Sequence, residues 1–121
     1  MKPSYPLFVL ERDDSSIRLI EDEVGLLWYE AIDVEDKLYA GWDVLGYPIE
    51  LYLDHGQIKV RRVIEQPNQE QLQAAILEYV RRSCKNAPFT YAGFNSNMVE
   101  LFRAAEVHIK KFKRSTLRQK L

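Results

Sequence analysis

Leu7-Phe8-Val9-Leu10, an uninterrupted apolar run that no other in the chain exceeds, is followed by alternation through Ser16-Ile17-Arg18-Leu19-Ile20. Asp13, Asp14, Ser15 and Ser16 punctuate the two, so the pair reads as a first antiparallel hairpin. The acids Glu21, Asp22 and Glu23 then precede Val24, Leu27 and Trp28 at helical spacing, which predicts one short inserted helix over about Glu21–Tyr29. Gly25 within it weakens that helix.

From Ala31 to Ile64 the alternation predicts a four-strand meander. A two-residue turn at His55-Gly56 pairs Leu53 with Ile58, Leu51 with Val60 and Ile49 with Arg62, and sets Glu50 against Arg61 on the other face. The same rule applied at Leu45-Gly46 pairs Trp42 with Ile49 and Ala40 with Leu51. A three-residue loop Glu35-Asp36-Lys37 sets Val34 against Leu38. The meander then has one apolar face: Ile32, Val34, Leu38, Ala40, Trp42, Ile49, Leu51, Leu53, Ile58 and Val60. A one-residue slip inverts every side chain of a strand, so the registers are the sharpest expectation here.

Two helices should cover that face. Asn68 with Gln71 forms a capping-box pattern before the stripe Leu72, Ala75, Ile76, Tyr79 and Val80. Asn97 with Glu100 opens a second stripe, Met98, Leu101, Phe102, Ala105, Ile109 and Phe112. We therefore expect one α+β domain over 1–121 with a basic tail at 113–121. It should be a two-layer sandwich: a mostly antiparallel sheet of five or six strands, with two long C-terminal helices packed on one face.

Composition narrows function mainly by exclusion. With 121 residues, 46% apolar, the chain can bury a core without a metal or disulfide. No run approaches the ~20 apolar residues of a membrane span, so no membrane partner is expected. A single cysteine and no long apolar leader among the first residues point to the cytoplasm. Cys84 itself reads as a packing residue. Charge is polarised: residues 1–60 carry 13 acids and 5 bases, residues 61–121 carry 5 acids and 12 bases. Such asymmetry marks a charged partner or two pairing surfaces.

No metal-ligand spacing or catalytic constellation appears, so no cofactor, metal or enzymatic activity is expected. His55 belongs to turn geometry. Asp33, Glu35, Asp36, Asp43 and Asp54 read as turn residues. The candidate binding residues are Phe89, Tyr91 and Phe94, three aromatics in one loop; Arg62, which falls within the apolar stripe; and Lys110, Lys111, Lys113 and Arg114 in the basic tail. The leading expectation is a small bacterial-type accessory protein: a non-catalytic interaction module binding a protein partner or a second copy of itself. The first alternative is weak nucleic-acid binding by the basic helix, disfavoured by a net charge of −1. The second is a small-ligand or enzymatic site using Arg62 and His108.

Overall fold

The computed structural model describes residues 2–85, 88–89 and 97–120, without the side chains of 117–120. The chain is α+β, and it divides into two compact units, residues 1–72 and 73–121.

The first unit is built on a five-stranded antiparallel sheet. Its strands are β1 (Leu7–Glu11), β2 (Ile17–Ile20), β3 (Tyr39–Asp43), β4 (Pro48–Asp54) and β5 (Gln57–Arg62), in the order β2-β1-β3-β4-β5. A 3-10 helix, Glu23–Trp28, and a single-turn helix α1, Ala31–Glu35, lie between β2 and β3. The first hairpin forms with Leu7 opposite Ile20 and Leu10 opposite Ile17. At His55-Gly56 both central residues have positive φ, as a type I′ turn requires, and the register matches expectation throughout: Leu53 faces Ile58, Leu51 faces Val60, Ile49 faces Arg62.

Three expectations are corrected. Residues 31–34 are helical, so the hairpin at Glu35-Asp36-Lys37 does not form and the meander has three strands. The place beside β3 is taken by β1, whose Leu7, Phe8 and Val9 are all buried. A strand apolar on both faces belongs inside a sheet, and this non-local pairing displaces the local one. Two short helices rather than one are therefore inserted before β3.

The third correction concerns Trp42. Gly41 pairs with Ile49 and Trp42 with Pro48, one residue away from the expected register. The turn has three residues, Val44-Leu45-Gly46: Asp43 N–H donates to Tyr47 O, Gly46 N–H donates to Asp43 O, and Gly46 has φ +91. This is a type I turn closed by a left-handed glycine. Trp42 consequently points to the face opposite Ile49 and Leu51. There it is buried with Phe8 and Ile17, and its indole N–H donates to Gln71 Oε1 at 3.1 Å.

The face holding Ile49 and Leu51 is covered within this unit. Leu7, Val9, Ile20, Ile49 and Leu51 cluster with Leu26, Tyr29 and Val34 from the inserted segment. Burying each such aliphatic side chain contributes about 1.5–3 kcal/mol. Leu26 and Tyr29 are three apart, the spacing of a 3-10 turn. Asp22 Oδ1 caps that turn by accepting from Val24 N–H at 3.0 Å.

The second unit comprises most of α2 (Gln69–Ser83) and all of α3 (Met98–Lys120). Both expected caps form: Asn68 Oδ1 accepts from Gln71 N–H, and Asn97 Oδ1 accepts from Val99 and Glu100 N–H. Both expected stripes are buried, through Leu72, Ile76 and Val80 on α2 and Met98, Leu101, Phe102, Ala105 and Ile109 on α3. Tyr79 stacks on Phe102 and its hydroxyl donates to Glu106 at 3.2 Å.

Candidate functional site

The described side chains among those singled out from the sequence each have a definite environment. Arg62 pairs opposite Ile49, but it neither reaches solvent nor offers its charge to a ligand. Its side chain is 8% exposed and lies against Asp43, which is 0% exposed. Arg62 Nε and Nη2 both reach Asp43 Oδ2 at 2.9 Å, and the guanidinium stacks on the Tyr47 ring at 3.8 Å. Asp43 also accepts from Ser4, Leu45 and Tyr47 N–H groups at 3.0–3.1 Å. The carboxylate thus ties the segment before β1, the β3–β4 turn and the end of β5 to one point. A carboxylate so saturated and closed to water is structural.

Lys110, Lys111, Lys113 and Arg114 are exposed on α3. Lys110, Lys113 and Arg114 share one face by helical spacing, with Lys111 to its side. Of the aromatic loop, Phe89 is half-buried with its ring 5.0 Å from that of His108; Tyr91 and Phe94 lie outside the described residues. His108 Nε2 is buried and meets no hydrogen-bond partner among the described residues. It belongs to the second unit and Arg62 to the first. Cys84 is buried, and burial pushes its thiol up against the opposing pull of Lys113, which keeps it protonated and inert. Among the described residues no cluster of His, Cys, Asp and Glu could hold a metal, and no helix is long and apolar enough to cross a membrane.

The surface that stands out is the inserted segment. Val24 is 71% exposed, Leu27 82%, Trp28 66% and Ile32 62%. Four large apolar side chains within nine residues make a patch rather than a scatter of single exposures. Helical periodicity would turn Val24, Leu27 and Trp28 inward. The 3-10 winding instead buries Leu26 and Tyr29 and turns these three out. Trp28 is held in place by Arg18, whose guanidinium lies 4.0 Å from the ring centre. Gly25 permits the tight approach, since a Cβ there would lie 2.8 Å from Ile20 Cγ2.

Beside the patch lies a cleft of about 760 Å³, a size that accommodates a small molecule or several side chains. Leu26, Leu27 and Tyr29 form one wall, Ile58 and Val60 of β5 the other, with Lys2, Glu23 and Lys59 supplying charge. Tyr5 and Tyr29 also line it, and both hydroxyls are buried and meet no hydrogen-bond partner among the described residues. Burial pushes both phenols above their ordinary value, Tyr29 strongly. A raised pKa means that the fold favours the neutral phenol. Its contribution to stability is present below the unfolded value of about 10 and is lost as pH rises through the folded one. Deleting an unpaired buried hydroxyl relieves an uncompensated desolvation cost. Tyr29→Phe should therefore raise stability by about 1 kcal/mol at neutral pH and blunt the loss above pH ~10, both read by urea titration. A loss of stability at neutral pH would mean that the hydroxyl has a partner.

No family model, curated protein or solved structure matches the chain.

Proposed function

We propose that this chain is a non-catalytic protein-interaction module whose binding face is the inserted segment, centred on Val24, Leu27, Trp28 and Ile32. The observation that carries the reading is the exposure of those four side chains in one short stretch, beside a cleft with apolar walls. An exposed Trp in such a setting is a typical anchor of protein interfaces, and the aliphatic side chains around it add apolar contact area. The charged groups nearest to forming a reactive centre, Asp43 and Arg62, are consumed by one another. This moves the expected interaction surface away from the aromatic loop and the basic tail, while keeping the expected class of function.

Photo-crosslinking residues placed singly at Val24 and Leu27 should give discrete protein adducts in the source cells. The same residue at Lys111, exposed on α3, should not. Absence of adducts at Val24 and Leu27, or equal adducts at Lys111, overturns the proposal. Nucleic-acid adducts confined to Lys111 would favour the basic helix instead.

A further inference from the structure

β5 is an edge strand, and its outer edge borders the cleft. Val63 N–H donates to Pro48 O, which makes Pro48 and Val63 a hydrogen-bonded pair. Alternation along an antiparallel ladder then makes Glu50–Arg61, Tyr52–Lys59 and Asp54–Gln57 the bonded pairs. The N–H and C=O groups of Ile58 and Val60 consequently point away from β4. Among the described residues no backbone partner meets them. An edge of this kind is a template for another strand.

The side chains along this edge alternate in character. Ile58 and Val60 are half-buried on one face of the strand, while Lys59 and Arg61 are exposed on the other; Ile58, Lys59 and Val60 all line the cleft, Lys59 at its rim. Immediately beyond, Val63 and Ile64 are more than half exposed. We propose that this edge binds an extended peptide segment as a sixth antiparallel or parallel strand. The segment's alternate side chains would be apolar, entering the cleft against Ile58, Val60 and Leu27, and acidic, facing Lys59 and Arg61. The proposal rests on the interaction-module reading above and names its partner's chemistry.

A second copy of the chain fits this edge poorly. An antiparallel β5–β5 pairing that uses the free groups of Ile58 and Val60 sets Lys59 against Lys59 or Arg61 of the other copy, or Arg61 against Arg61. Like charges directly opposite destabilise a strand pair. Acidic side chains on the incoming strand remove that repulsion. Asp54 and Glu50 of β4 already pair with Lys59 and Arg61, at 3.4 and 2.6 Å, and the Arg61 guanidinium lies 4.3 Å from the centre of the Tyr52 ring; both bases remain about half exposed, and an acidic newcomer would share them. Main-chain bonds would supply affinity and the alternation would supply selectivity, as in other strand-addition complexes.

The test is residue-resolved amide exchange on the intact protein with three blocked seven-residue peptides. One alternates glutamate with valine, one alternates lysine with valine, and one is the acidic peptide with prolines at its hydrogen-bonding positions. The acidic peptide at millimolar concentration should slow exchange of the Ile58 and Val60 amides by about tenfold, and the other two should not. No slowing, equal slowing by the lysine peptide, or slowing that depends on protein concentration without peptide overturns the proposal. Adducts at Val24 and Leu27 without protection of β5 would remove this inference alone; absence of those adducts removes the broader reading.

Discussion

Asp43→Ala should cost about 3–5 kcal/mol, the penalty for leaving a buried charge without its partner. Arg62 would keep its place under the Tyr47 ring with only the half-exposed Glu65, 3.8 Å away, to meet, and the N–H groups of Ser4, Leu45 and Tyr47 would lose their acceptor. A domain's whole stability is ~5–15 kcal/mol, so the variant should be unfolded or nearly so at physiological temperature. Arg62→Ala should be of similar severity, since Asp43 would be stranded instead. Arg62→Met with Asp43→Leu should recover part of the loss, because an apolar pair removes both desolvation costs, though not the need of the three N–H groups for an acceptor. Urea titration by far-ultraviolet circular dichroism reads all of these. If Asp43→Ala lost less than about 1 kcal/mol, the range of exposed ion pairs, the buried knot at this point would be refuted.

Gly41→Ala is the second substitution expected to be severe. Gly41 sits within β3 between β1 and β4, opposite Val9 and Ile49. A Cβ there would lie 2.3 Å from the carbonyl oxygen of Phe8. The obstacle is backbone in the adjoining central strand, so no side-chain rotation relieves it. Either the β1–β3 ladder opens or the strand is displaced, at a cost of about 3 kcal/mol or more, the upper end for overpacking. Thermal unfolding should show a melting temperature lower by roughly 10 °C or more. Gly56→Ala provides the contrast. Its φ of +79 makes it strained, but a Cβ there meets nothing within 4 Å, so the loss should be nearer 1 kcal/mol. Equal losses at the two positions would contradict the close approach of β1 to β3.

Much of the architecture was legible because local signals agreed with the tertiary arrangement. The His55-Gly56 turn, its register, both helix caps and both C-terminal stripes depend on residues close in sequence. The errors share a cause: pairings chosen locally that a more distant partner or a different winding overrode. Residues 31–34 alternate well enough for a strand, yet β1 owns the place beside β3. Its unbroken run Leu7–Leu10 carried the signal of a strand buried on both faces. The register at Gly46 could also have been found, since Asp43 and Gly46 stand at the first and fourth positions that a type I turn favours.

The candidate site was harder to see for a physical reason. Val24, Leu27 and Trp28 form an inward stripe only at α-helical pitch. The tighter winding of residues 23–28 turns Leu26 and Tyr29 to the core and leaves that stripe in water. Arg62 was conspicuous as a charge in an apolar row. What the row could not show was that Asp43, 19 residues earlier, arrives beside it only when the β3–β4 turn has three residues.

Residue-resolved amide exchange of the free protein most directly tests whether an open strand edge borders the exposed segment. Lys59 and Arg61 amides should be strongly protected, because they donate to β4, while Ile58 and Val60, which alternate with them, should exchange at rates close to those of unstructured chain. Uniform protection along residues 57–62 would mean that the edge is already covered, and the binding face described here would not exist.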